Sequence, residues 1–221
     1  VAAAAARRDA EIGALVRARL LRTRCPWLFV FDNVEPGPAG AALLAAHLDA
    51  SGAAADDLIL FLDAYDVLVF HYTVGTISDA QRDALSSWLI GGKGYVGIHS
   101  AADSFRDDPA YRNMVGGHFI THPRYREYQV SVKDPDHPIM AGIDEEFIVE
   151  DEQYILDYDA RVHVLANALY KGDTMPVAWT KQHGQGRVFY QALGHDPSAC
   201  EHPVFKQMLV QGTLWAAGRE D

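Results

Sequence analysis

The sequence predicts an α/β protein: a doubly wound, mostly parallel sheet with helices on both faces and an added antiparallel part. Two observations carry this. Short apolar runs without alternation, at Trp27–Phe31, 67–70 and 95–98, read as strands buried on both faces, and helical patterns lie between them. The later chain holds strand-like runs joined by Gly- and Pro-containing turns, which supply the antiparallel part.

In chain order, residues 11–21 place Ile12, Leu15, Val16 and Leu20 at helical spacing, and Pro26 ends that segment. Trp27–Phe31 is the first buried strand and stops at Asp32. Residues 33–40 carry two prolines and two glycines and form a loop, and 41–48 is Ala/Leu-rich and helical up to Ser51-Gly52. The run 67–70 is the second strand, closed by His71-Tyr72. Ser78-Asp79-Ala80-Gln81 has the form of a capping box, in which the Ser hydroxyl accepts from a free backbone N–H and Gln reaches back. Ala84, Leu85, Trp88 and Leu89 give that helix its buried stripe, and Gly91-Gly92 can take the left-handed turn that ends it. The third strand, 95–98, runs into His99-Ser100-Ala101-Ala102. Further strands are expected at 127–132, 146–150 and 161–168. A hairpin is expected from 177–180 to 187–192, with a loop longer than two residues, and 204–215 is a closing amphipathic helix. No repeat and no long linker interrupts the 221 residues, so one domain is expected, with 1–24 as a helical extension.

Composition excludes several classes. The net charge of −11 leaves no clustered cations for phosphate, so nucleic acid is not an expected partner. The arginines between Arg7 and Arg24 are dispersed among Ala and Leu and read as a solvated helix face. No apolar run is long enough to span a membrane. Val1–Ala6 is apolar, but Arg7-Arg8 follows it, the wrong polarity for a signal peptide. The chain opens on Val1 rather than Met, so a start further upstream is expected. Cys25 and Cys200 make no framework and no C-x-x-C motif, which fits a reducing cytoplasm.

Polar chemistry collects at strand ends. Asp32, His71 and His99 each close a predicted buried strand, and His195 follows another by three residues. Ligands of open α/β sheets bind outside those carboxyl ends. For His71 the plainer reading, a polar residue where a strand stops, is preferred. Gly97-Ile98-His99-Ser100-Ala101 has the form of a strand-to-helix elbow that presents its central side chain in a strained turn. That position holds an imidazole, which suits acid, base or metal-ligand roles better than nucleophilic attack. Ser100 is offset from the elbow by one residue. Gly116-Gly117-His118-Phe119-Ile120-Thr121-His122-Pro123 is read as a loop, because Pro123 keeps His122 out of the α region. His118 is preferred there, and His122 is equally a turn residue or a ligand. Asp151 and Glu152 follow a strand and are candidate carboxylates to orient an imidazole. His137, His163 and His183 are assigned to structure or surface.

These segments resemble the ThuA-like (trehalose utilisation) family. The resemblance rests on 97–101, on Gly116-Gly117-His118-Phe119 with His122-Pro123, on Asp136-His137-Pro138-Ile139, on Asp151-Glu152-Gln153-Tyr154, on Pro176-Val177-Ala178-Trp179, and on Gly186-Arg187-Val188-Phe189-Tyr190 leading to Leu193-Gly194-His195-Asp196. It covers roughly 63–218. It implies a class I glutamine amidotransferase-like, flavodoxin-like fold and a role in carbohydrate utilisation. True amidotransferases carry a Cys at the elbow and a late His-Pro-Glu. Here the residues are His99 and His195-Asp196-Pro197, so thiolate glutaminase chemistry is not expected. The start also departs from the family, since the loop after Trp27–Phe31 has no histidine.

The combined expectation is acid/base chemistry by His99, His195 and Glu152 on a small carbohydrate, with His118, Ser100, His122, Tyr154 and Trp179 binding substrate. A Zn²⁺ enzyme using His99, His118 and His195 is one alternative. A non-catalytic binding scaffold is the other, and a homo-oligomer is left open.

Overall fold

The computed structural model describes residues 27–31, 62–73 and 75–219. The expected helices at 11–21 and 41–48, the loop 33–40, Asp32, Cys25 and the 1–24 extension lie outside the described residues.

Strand β1 (Trp27–Phe31) pairs in parallel with β2 (Val67–His71), from Trp27–Val67 to Phe31–His71. Helix α1 (Asp79–Ile90) follows. It is started by the anticipated box: Ser78 Oγ accepts from Gln81 N at 3.2 Å, and Gln81 Oε1 accepts from Ser78 N at 2.9 Å. Strand β3 (Gly94–Ile98) then lies parallel to β2. Beyond it come a 3₁₀ turn, His99–Asp103, and helix α2 (Pro109–Val115), which ends at Gly116 with φ +95°. Strand β4 (Gly117–Thr121) occupies the segment expected to be a loop. Strands β5 (Arg126–Val132), β6 (Glu146–Asp151), β7 (Ile155–Tyr158), β8 (His163–Tyr170), β9 (Asp173–His183) and β10 (Gly186–Gln191) follow, then α3 (Pro197–Glu201) and α4 (Pro203–Ala216).

The main sheet has eight strands in the order β1-β2-β3-β10-β9-β8-β5-β6, and β4 pairs with β7 in a separate ribbon. Only β1-β2, β2-β3 and β3-β10 are parallel. The other four pairings of the main sheet are antiparallel. The expected mostly parallel sheet is therefore corrected to a mixed α/β sheet. The cause is local. β8 and β9 are joined by Lys171-Gly172, both at positive φ (52° and 93°), and β9 and β10 by Gly184-Gln185, with Gly184 at φ +63°. Two-residue turns of this twist can only join antiparallel neighbours. The second turn is shorter than expected because β9 runs on to His183.

One core lies on each face of the sheet. Val67, Val69, Val96 and Ile98 meet Phe205, Met208 and Leu209 of α4. Leu68, Phe70 and Tyr95 meet Ala84, Leu85, Trp88 and Leu89 of α1. Both sets are buried, at roughly 1.5–3 kcal/mol for each large side chain, which explains why these strands read as unbroken apolar runs. α4 sits so close that a Cβ on Gly212 would lie 2.1 Å from Phe189 Cδ1. No helix among the described residues is long and apolar enough to cross a membrane.

Candidate active site

The site begins where β3 stops. Ile98 is extended and His99 turns to φ +44°, a left-handed backbone that costs a non-glycine residue of order 1–2 kcal/mol. Three contacts hold it there. His99 Nδ1 lies 2.7 Å from Ala192 O, Tyr190 OH donates to His99 O at 2.7 Å, and the Tyr154 ring covers the imidazole at 3.9 Å between centroids. A carbonyl only accepts, so Nδ1 carries the proton. Nε2 is buried, meets no hydrogen-bond partner, and lies 3.5 Å from Glu152 Oε2. The elbow expected at 97–101 is present, but its side chain is a covered floor rather than an exposed tip, with 3% of it accessible.

Glu152 arrives from the far edge of the sheet. The residue before it, Asp151, is buried and accepts three backbone N–H groups: Gly194 at 2.7 Å, His195 at 3.2 Å and Glu152 at 2.8 Å. These bonds tie the end of β6 to the loop after β10. Burial pushes the Asp151 carboxyl above its ordinary range, opposed by His99 and the three N–H dipoles.

His195 brings Nδ1 to 2.9 Å from Glu152 Oε2 and sets its ring edge-on to His99, 5.3 Å between centroids. Burial pulls its pKa below the usual imidazole value and His99 adds to the shift, while Glu152, Asp151 and Asp196 oppose it. His122 binds Pro123 O through Nδ1 at 2.8 Å and places Nε2 3.5 Å from Glu152 Oε1. Burial alone would raise the Glu152 pKa, but His99, His195 and His122 outweigh it and hold the carboxyl below its ordinary range. Accessibility rises from His99 at the floor to His122 (36%) and His195 (41%) at the rim, so the site opens on their side. His99, Glu152 and His195 each offer a metal-ligand atom within 4.8 Å of one another.

Other candidates are placed differently. His118 is not in this group. Phe119 packs on Tyr154, so the neighbouring side chain of β4 takes the other face, where His118 Nδ1 lies 3.9 Å from Asp157. His122, weighed below it, is the one brought to Glu152. Trp179 is fully buried, donates to Val115 O at 3.0 Å and packs on Tyr190, so it offers no face to a sugar. Tyr154 is 6% accessible and packs on His99 instead of facing solvent. Ser100 lies in the 3₁₀ turn, its carbonyl accepting from Ser104 Oγ at 3.2 Å. His71 is buried at the end of β2. Sequence reasoning missed Tyr125, which donates to Glu150 O at 2.9 Å and stands 6.1 Å from the His195 ring. It carried no signal beyond an aromatic residue ahead of β5. An open cleft elsewhere is lined by Asn113, Arg161, His163, Lys181, His183 and Trp215 among others, and holds none of the residues gathered around Glu152.

The fold is α/β, and an imidazole–carboxylate cluster of His99, Glu152 and His195 gathers where β3 ends. Comparison with known proteins gives the family. The ThuA family profile, described as trehalose utilisation, matches residues 45–216, and the chain belongs to that family. Among solved structures, a ThuA-like protein from Parabacteroides merdae is similar at 17% identity and TM-score 0.70, over 88% of this chain and 90% of that one. One from Bacteroides uniformis is similar at 19% identity and TM-score 0.65, over 87% and 92%. A protein described as cytoplasmic, from Salmonella typhimurium, shares the fold at 13% identity and TM-score 0.58, over 86% and 98%. No curated protein matches the chain.

Proposed function

We propose that this chain processes a small carbohydrate, trehalose or a related disaccharide or keto-sugar, by acid/base chemistry in the cytoplasm. The observation that carries the reading is the 2.9 Å approach of His195 Nδ1 to Glu152 Oε2 at the mouth of the site. A carboxylate at that distance favours the proton on Nδ1 and so places the neutral ring's lone pair on Nε2, the arrangement of a general base. Burial and the neighbouring His99 favour the neutral ring near pH 7. Glu152 is kept ionised and stabilises the imidazolium that forms once His195 has taken a proton from a sugar hydroxyl or a carbon beside a keto group. His195 returns that proton to the sugar in the second half of the reaction, while His99, its Nδ1 proton held by Ala192 O, shares the same carboxylate from beneath.

Family membership supports the substrate class, and the parallel half with α1 and α4 on opposite faces supports a flavodoxin-like, doubly wound origin for the core. The elbow bears an imidazole, and Cys200 is buried with Sγ 3.6 Å from Gly194 O, so among the described residues no thiol stands at the elbow for glutamine hydrolysis. The strained φ at His99 also supports a functional elbow over a passive scaffold.

The test is a panel of plain and oxidised disaccharides offered to the wild type and to His195→Ala. Turnover that falls at least 100-fold in the variant is expected. No binding and no turnover across the panel would overturn the reading, and turnover unchanged in the variant would remove His195 from it.

A further inference from the structure

The geometry points to a divalent transition-metal site formed by His99 Nε2, His195 and Glu152, with Zn²⁺ the ion that suits it best. Two imidazoles and one carboxylate make a three-ligand set that leaves a coordination position open. The strongest mark is His99 Nε2, which is buried without a hydrogen-bond partner while Nδ1 holds the proton for Ala192 O. In the neutral ring the Nε2 lone pair therefore faces a carboxylate oxygen 3.5 Å away. Two electron-rich atoms so placed repel each other unless a proton or a metal ion lies between them, and the three-ligand set favours the ion. His122 repeats the arrangement on the other oxygen, with Nδ1 on Pro123 O and Nε2 3.5 Å from Glu152 Oε1.

The distances suit an ion. Ligand atoms at about 2.0–2.1 Å from tetrahedral Zn²⁺ stand about 3.4 Å apart. Here Glu152 Oε2 is 3.5 Å from His99 Nε2, which matches, while the 2.9 Å to His195 Nδ1 is a hydrogen bond that opens by about 0.5 Å, with release of the Nδ1 proton, as the ion enters. The supporting shell is in place as well. Ala192 O fixes the tautomer and plane of His99, as outer carbonyls do for metal-bound histidines. The Asp151 carboxylate fixes the backbone of Glu152 and His195 together. The open position faces the rim formed by His122 and His195, where a bound ion would polarise a hydroxyl or carbonyl oxygen.

This inference rests on the proposed function only for what approaches the open position, and metal binding is read without any sugar. Untagged full-length protein is stripped with a chelator, freed of it, and titrated calorimetrically with ZnCl₂, MnCl₂ and anaerobic Fe²⁺. Co²⁺ loading is followed by visible absorption. We expect one Zn²⁺ per chain, bound at least 100-fold more weakly by Glu152→Gln and by His195→Ala, and unchanged in His118→Ala and His163→Ala. Circular dichroism confirms that each variant is folded. Absence of stoichiometric binding of all these ions by folded wild type overturns the site, as does binding that both Glu152→Gln and His195→Ala retain. Tighter Fe²⁺ or Mn²⁺ binding with the same variant losses upholds the site and changes the ion. Metal bound without sugar turnover upholds the site and counts against the proposed function. Turnover undiminished in folded protein that binds none of these ions overturns the site and leaves that function standing.

Discussion

Asp151 shows how one buried carboxylate can hold separate stretches of chain together beside a cluster of side chains. Its oxygens accept the N–H groups of Glu152, Gly194 and His195, all in a place where water does not reach it. Replacement by Ala orphans these donors, at 1–3 kcal/mol for each that stays dry. Partial rehydration and the relief of a costly buried charge offset part of that, so Asp151→Ala should lose about 3 kcal/mol of stability in urea unfolding and bind ligand more weakly. His195 carries a pH prediction. Its folded pKa is depressed, first by burial and then by His99, with Glu152 opposing. Its NMR titration midpoint should lie below the ordinary value of about 6.5 and fall further in Glu152→Gln. The unfolded chain then binds more protons than the folded one between those two values. This group's contribution to stability is therefore intact above the unfolded pKa and declines as the pH drops through that window. At this scale His99, Glu152 and His195 were legible, because each follows a recognisable strand. The choice between His118 and His122 was not. It depended on which face of β4 each side chain takes, and β4 itself was read as a loop.

Elements were legible where local chemistry speaks for itself. The α1 box is a hydrogen-bond pattern written into Ser78 and Gln81, and Ser78→Ala should cost about 1 kcal/mol in thermal or chemical unfolding. The strands beside it announced themselves because both faces are buried. The turn between β8 and β9 did not, since Lys171-Gly172 puts a lysine where Asn or Asp is the usual signal for positive φ. That missed hairpin accounts for much of the excess of parallel pairing in the sequence reading. Packing between elements leaves its own trace in glycine. The closeness of α4 to β10 needs residue 212 to lack a side chain, as a Cβ there would meet Phe189 at 2.1 Å. Gly212→Ala should lower stability by about 3 kcal/mol through overpacking, against a helix-propensity gain of less than 1 kcal/mol. Equilibrium unfolding decides between these opposed effects.

The site exists only because the sheet curls on itself. β6 is the last strand in the order and β3 the third, yet Glu152 at the end of one reaches His99 at the end of the other. Strand periodicity does not encode this long-range approach. It follows from the accumulated twist of the antiparallel half and from the Asp151 bonds that close it. Four chain ends meet there: those of β3, β4, β6 and β10, carrying His99, His122, Glu152 and His195. A cation held by His99, Glu152 and His195 therefore binds the folded chain and not the separated strands. At 100 times its dissociation constant it adds about 2.7 kcal/mol to the unfolding free energy. For a chain of this length that is a rise of about 5–10 °C in Tm. Scanning calorimetry of metal-free protein with and without Zn²⁺ should show this shift in wild type and none in Glu152→Gln. Equal shifts in both would place the ion on surface histidines, outside the curl of the sheet.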